Sequence, residues 1–270
     1  MNRVKTLLKL HLPRSLVQSI KKYRYTRNIK LINESTFMEF RVIKLLVHPG
    51  DSVLDLGANM GFYTKPFSDL VGPTGRVFSF EPLPANLEIL EHMVWKLHLS
   101  NVEVFRYAVS DTNDNVALEI PLWESGEENV YEAKVMRGRV DSKHRLVIAQ
   151  ARTIDSLFST IPLKFTFMKC DIEGHEFHAL RGSQFVIEQS RPACMIEVMG
   201  NADAPNSEAR KTFELLQRWG YVAYCFDGAR MTRQQKPPRG QEKGVDYFFL
   251  TQTHVELLLK NGISVVNTGA

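Results

Sequence analysis

No apolar run in this chain approaches the roughly 18 residues that a membrane-spanning helix needs. Cysteine is scarce: Cys170, Cys194 and Cys225 are the only three in 270 residues. Each stands in an apolar, strand-like segment, and no Cys/His cluster has the spacing of a zinc site. An odd number in that setting reads as buried thiols in a reducing, cytoplasmic compartment rather than a disulfide framework. The first residues lack a compact apolar segment with a cleavage site, so no secretory leader is expected. Acidic side chains are missing from residues 1–30, which hold nine Lys or Arg. Beyond them stand 25 basic and 30 acidic side chains, so the overall charge of +4 hides a net negative body. That distribution argues against a broad nucleic-acid surface, and no nucleic-acid partner is expected.

The rest is ordinary globular composition, 44% hydrophobic and 24% charged, enough for one sizeable core. The expected division is a basic helical appendage over 1–48, one main domain over 49–253 and a short tail over 254–270. Residues 3–31 are interrupted by Pro13; Leu16, Val17 and Ile20 form a helical stripe ahead of Lys21, Lys22, Arg24 and Arg27. The plain reading is a solvated helix packed on the body. The sharper one is peripheral membrane contact, an interfacial segment held by anionic lipid. Thr36 and Glu39 have capping-box spacing ahead of Phe37, Phe40, Ile43 and Leu46.

The densest signal is Val53-Leu-Asp-Leu-Gly-Ala-Asn-Met-Gly61. Ser52 to Leu56 has the continuous apolar character of a strand covered on both faces. Gly57 lets the backbone turn and approach a ligand closely. A second apolar strand, Val77-Phe-Ser-Phe-Glu-Pro82, also ends in an acid. Asp55 and Glu81 would then close adjacent parallel strands, where such sheets open into a ligand crevice, with Glu81 accepting from two ribose hydroxyls. A dinucleotide needs Gly-x-Gly-x-x-Gly for its pyrophosphate. Here Asn59 replaces the middle glycine, and Asp55 would repel phosphate. S-adenosylmethionine carries a sulfonium and an amine and no phosphate, so the loop favours it over NAD. An NAD-dependent oxidoreductase is the alternative, and a catalytically inactive scaffold of the same fold is another.

Strand and helix alternate along the body, which argues an α/β doubly wound sheet. Pro66 places a helix start late, with Thr64 as N-cap. A helix follows Pro84, and a strand runs from Val102 to Ala108. Short strands at Val116–Ile120 and Leu146–Ala149 flank the polar stretch Glu124–His144, either a substrate lid or a surface hairpin. The strand from Phe165 leads into Asp171, Glu173, His175 and Glu176 and then a helix to about Glu188. Strands are expected at Pro192–Val198, Tyr221–Phe226 and Val245–Thr251, with a helix over 207–219. The charge run Arg230, Arg233, Lys236, Arg239 and Lys243 reads as a solvated loop. Glu176 reads as a helix cap and His175 as a surface histidine at a helix start.

Val53 to Gly61, Phe80-Glu-Pro82 with Asn86, Ala108-Val-Ser110, Thr153-Ile-Asp155, Lys169-Cys-Asp-Ile-Glu-Gly-His-Glu176, Leu180-Arg-Gly182 and Arg191-Pro192 through Glu197 follow one another as in the FkbM family. The chain resembles that family over about residues 50–200. The resemblance implies a class I methyltransferase fold, a Rossmann-like, mostly parallel seven-stranded sheet, with S-adenosylmethionine as cofactor. It also implies methylation of a hydroxyl, in a small-molecule or carbohydrate acceptor. Asp55, Gly57, Ala58, Asn59, Gly61, Glu81 and Pro82 would contact the cofactor. Ala108, Val109 and Ser110 would lie beside the adenine, with Asp171 near the methionine end. Asp171, Glu173 or His175 could take the hydroxyl proton. Two or three of these acids could instead hold Mg²⁺; catalysis without a metal is the favoured expectation.

Overall fold

The computed structural model describes residues 14–33, 35–123, 126, 128–136, 144–200, 204–235 and 244–266. Helices α1 (Arg14–Lys30) and α2 (Phe40–Leu46) lead into β1 (Ser52–Leu56), α3 (Thr64–Val71), β2 (Arg76–Phe80), α4 (Pro84–Lys96) and β3 (Val102–Phe105). Then come β4 (Ala108–Val109), β5 (Asn115–Pro121), a 3-10 turn (Val130–Glu132), β6 (Lys134–Val135), β7 (His144–Arg152) and α5 (Ile154–Phe158). The second half runs β8 (Phe165–Cys170), α6 (Glu176–Arg181), α7 (Gln184–Ser190), β9 (Ala193–Val198), α8 (Glu208–Arg218), β10 (Val222–Phe226), β11 (Arg230–Gln234), β12 (Val245–Leu250), α9 (Gln252–Lys260) and β13 (Ser264–Val266).

Among the described residues the main sheet has nine strands, not seven, in the order β13-β11-β10-β12-β9-β8-β1-β2-β3. The run β9-β8-β1-β2-β3 is parallel. β12, β10 and β11 continue it antiparallel, and β13 joins β11 parallel. The two additional strands come from segments with weak strand signals. Charged β11 crosses part of the stretch expected to be a solvated loop. β13 belongs to the expected tail, which packs α9 and an edge strand onto the body. A second sheet, β4-β7-β5-β6, holds Ala108 and Val109, so the expected strand 102–108 divides between two sheets.

Alternation along the central strands covers both faces. Leu54 and Leu56 join one apolar cluster with Phe78, Phe80, Phe165 and Cys170, while Val53, Val77 and Phe167 join the cluster on the opposite face. Phe158 from α5 meets Phe78 and Phe165 edge-on at 5.1 and 5.2 Å between ring centres. Each buried Phe of this kind contributes about 1.5–3 kcal/mol. Cys170 and Cys194 are buried free thiols, and Cys225 is half-buried.

Three local expectations change. Thr64 is the first residue of α3 rather than its cap, and Tyr63 holds the cap position. Pro66 then falls in the first turn, where a missing N–H leaves no bond unmade. The Thr36 hydroxyl accepts from Asn33 N–H at 3.1 Å, and Glu39 caps α2 without a side-chain bond, so no capping box forms. The helix expected to reach Glu188 breaks at Gly182–Ser183. Asp155 accepts from Phe185 and Val186 N–H, each at 2.9 Å, and caps the second piece from 30 residues away. Pro13, Lys236, Arg239, Lys243 and residues 124, 125, 127 and 137–143 of the Glu124–His144 stretch lie outside the described residues. No helix among the described residues is long and apolar enough to cross a membrane.

Candidate cofactor-binding and catalytic site

β1, β2 and β8 end side by side, with Leu56 in register with Phe80 and Cys170. The residues that follow are Gly57, Glu81 and Asp171. The chain leaves β1 for β2 on one side and reaches β8 on the other, so their carboxyl ends form a topological switch point. A cavity of about 260 Å³ occupies it, lined by Gly57, Asn59, Glu81, Pro82, Ala108, Val109, Asp171, Glu173 and His175. The structure thus brings nine of the sequence-derived residues around one cavity. Asp55, Ala58, Gly61 and Ser110 are buried nearby without lining it.

The glycines have separate reasons. A Cβ on Gly57 would stand 1.8 Å from the Asp171 carbonyl oxygen, so β1 and β8 can close together only over a glycine. A Cβ on Gly61 would stand 2.4 Å from Met93 Cε and 2.9 Å from Leu90 Cδ1. That position lets α4 pack against the loop. Asn59 takes the left-handed conformation between them (φ 51°).

Glu81 is buried and organises the loop. Its Oε2 accepts from Asn59 N–H at 2.9 Å; its Oε1 accepts from Leu83 N–H at 2.9 Å and Asn86 Nδ2 at 3.3 Å. Burial nonetheless pushes its carboxyl up to about 7. Asp55 is fully buried. Its Oδ2 accepts from Thr64 Oγ1 at 2.6 Å, and Thr64 also meets Ser79 at 3.1 Å. This chain ties the start of α3 to β1 and β2, and burial raises the Asp55 pKa. The side-chain oxygens Asp55 Oδ1, Asn59 Oδ1 and Asn86 Oδ1 are buried with no hydrogen-bond donor among the described residues. Asn86, which belongs to the family-like pattern, also lines the cavity.

Below Asp171 lies the charge that sequence reasoning missed. Lys169 is buried, its Nζ donates to Asp171 Oδ2 at 2.9 Å, and it sits 4.8 Å above the Tyr63 ring. Burial works to raise the Asp171 pKa, but the Lys169 charge and hydrogen bond, with a further bond from Glu197, hold it below the ordinary carboxylate range. Burial and the Asp171 charge push Glu197 up to about 9, so it keeps its proton at neutral pH. Asp246, paired across β12 and β9 with Glu197, is raised to about 6 by burial. The signal for Lys169 was its spacing: it stands in β8 two positions before Asp171, the offset that returns side chains to the same side of an extended chain.

The Asp171–Glu176 turn separates its members. Glu176 is buried and accepts from Gly174 N–H at 2.8 Å and Ile172 N–H at 3.3 Å, a capping role inside the turn. Glu173 is half-buried with φ 56°, and burial followed by the Asp171 and Glu176 charges raises it to about 7. His175 is only 7% exposed rather than a surface residue. Its Nε2 meets Ser110 Oγ at 3.0 Å, and its ring stacks on His178 at 4.6 Å. Ser110 therefore serves His175 from outside the cavity lining. A second cavity, about 250 Å³, adjoins the first and shares Val135, Glu173 and His175 with it; Glu119 and Lys134 complete its polar lining. Together the two reach the roughly 300–1,000 Å³ typical of small-molecule sites.

Asp171, Glu173 and Glu197 each offer an oxygen within 4.8 Å of the others, a grouping that could hold a cation. Lys169 already neutralises Asp171, and Glu197 would have to release its proton first.

The sheet order and this crevice are those of a class I methyltransferase. The model of the Methyltransferase FkbM domain matches residues 55–223, and the chain belongs to that family. Among solved structures, it is similar to the FkbM methyltransferase of Methylobacillus flagellatus KT: 15% identity, TM-score 0.45, covering 91% of this chain and 57% of that one. The chain thus spans little more than half of that protein's length. It is also similar to Aeropyrum pernix fibrillarin, solved with natively bound S-adenosyl-L-methionine (13% identity, 75% and 68% of the two chains, TM-score 0.44). A SAM-dependent methyltransferase from Aquifex aeolicus gives 15% identity, 78% and 87% coverage and TM-score 0.41. Among curated proteins none matches it significantly.

Proposed function

We propose that this chain binds S-adenosylmethionine in the crevice and methylates a hydroxyl of a sugar, glycan or secondary-metabolite acceptor. The observation that carries the cofactor assignment is the surplus of buried acceptors. Asn59 Oδ1 and Asn86 Oδ1 lack donors among the described residues, and Glu81 retains lone pairs. Both asparagines and Glu81 line the cavity. Buried polar groups need partners, so the fitting ligand is rich in donors or cationic. Ribose hydroxyls, an adenine amine, an α-ammonium and a sulfonium meet that need; a pyrophosphate does not. Glu81 would hold the ribose, Asn59 and Asn86 the neighbouring donors, and Ala108 and Val109 the flat base. Asp171, kept ionised by Lys169, would face the cationic end.

When bound, S-adenosylmethionine supplies a methyl group on a positive sulfur. The protein's part is to align a hydroxyl with it and remove the proton. Glu173 stands at the junction of the two cavities with a pKa near neutrality, which suits a general base. His175, held by Ser110, would orient the acceptor. The second cavity would receive the acceptor, whose hydroxyls could pair with Glu119 and Lys134.

Labelled S-adenosylmethionine incubated with the chain and a panel of sugars and hydroxylated metabolites tests this. Acid-stable label on oxygen, matched by S-adenosylhomocysteine release, is the expected result. Label on nitrogen or carbon across the panel would overturn the hydroxyl assignment.

A further inference from the structure

Helix α1 is apolar on two opposite faces. On the inner face Tyr25, Thr26 and Ile29, with Ile32 just beyond, pack towards α4 and the Ala58–Phe62 loop. On the outer face Leu16, Ile20 and Tyr23 are 46%, 50% and 67% exposed, and Leu31, past the helix end, is 68% exposed. Helical periodicity aligns Leu16, Ile20, Tyr23 and Arg27 in one narrow stripe away from α4. Residues 16–33 contain Lys21, Lys22, Arg24, Arg27 and Lys30 and no acid. Among the described residues Lys22 alone of these reaches a carboxylate, Glu88 at 3.5 Å.

We propose that the outer face of α1 docks on an anionic lipid surface. Leu16, Ile20, Tyr23 and Leu31 enter the headgroup boundary while Arg24, Arg27 and Lys30 pair with lipid phosphates and carboxylates. Two features select this occupant. The stripe is too apolar for a nucleic-acid backbone alone, and a second copy docked face to face would oppose like charges. The helix lies on the surface rather than crossing it. Docking also fixes the orientation of the crevice. Tyr25, on the inner face, hydrogen-bonds Tyr131 at 2.8 Å, and Tyr131 lines the cavity.

The test is sedimentation of the full chain with vesicles of phosphatidylcholine alone or containing about one-third phosphatidylserine. Binding at least about tenfold stronger to the anionic vesicles, weakened on going from about 0.1 M to about 0.5 M salt, is expected. An Ile20→Ser, Tyr23→Ser double variant, which alters only exposed side chains, should weaken it about tenfold or more. Its melting temperature and its S-adenosylmethionine binding should stay as in the parent. Equal binding to both vesicles, or undiminished binding by the variant, would overturn the proposal. So would self-association or RNA binding abolished by the double variant without vesicle binding. Cofactor binding is read separately, so failure here leaves the methyltransferase reading intact.

Discussion

Lys169 is the residue on which the charge balance of the crevice turns. It is buried between Asp171, Asp55 and the Tyr63 ring, and its neighbours keep it charged. Removing one partner of a buried pair strands the other, at about 3–5 kcal/mol. Lys169→Met should therefore lower stability by that order in denaturant titration, and Asp171 should titrate upward. Gly57→Ala should also destabilise, by about 1–3 kcal/mol from overpacking against the Asp171 carbonyl, with a further ~1 kcal/mol for its left-handed backbone (φ 79°). Glu173 gives a kinetic expectation. A base with pKa about 7 works only when deprotonated, so kcat/KM should fall as pH drops through 7. Glu173→Gln should remove that acidic limb and slow turnover by about 10²–10⁴-fold. A Glu173→Gln enzyme with the parent's profile would assign the limb to another group.

At the scale of elements, the carboxyl ends of β1, β2 and β8 hold carboxyls that prefer to be neutral when burial alone acts. Glu81 and Glu176, raised to about 7, bind protons in the folded state that they release when unfolded. Their contribution to stability is complete below about pH 4.5 and is lost as pH rises through 7. His254, depressed to about 4 by burial, acts oppositely: its contribution is complete above about pH 6.5 and is lost as pH falls through 4. Glu176→Gln should flatten the fall in melting temperature between about pH 6 and 8; an unchanged slope would refute the assignment. Elements with local signatures were legible in the sequence: the Gly57–Gly61 loop, the acid after β2 and the Pro84 helix start. β11 and β13 were not, because a short charged strand takes its place from neighbours already in the sheet. The break at Gly182–Ser183 depends on Asp155, 30 residues distant. The roles of Glu197 and Asp246 depend on β9 and β12 lying next to each other. Local pattern carries no information about such pairings, whereas Lys169 lies in β8 and Asp171 comes two positions later, directly after the strand, so their alliance could have been read from spacing.

At the scale of the molecule, a doubly wound sheet brings three strand ends together, and those ends carry acceptors in place of the donors that a phosphate would need. We propose that this acceptor-rich crevice selects a cationic nucleoside. Titration calorimetry of the full chain with S-adenosylmethionine and, separately, NAD tests it most directly. One micromolar S-adenosylmethionine site per chain, no measurable NAD binding, and affinity weakened by at least about tenfold in Glu81→Gln, about 1.4 kcal/mol or more, are expected. Absence of S-adenosylmethionine binding by the folded chain, or NAD binding of equal strength, would contradict it.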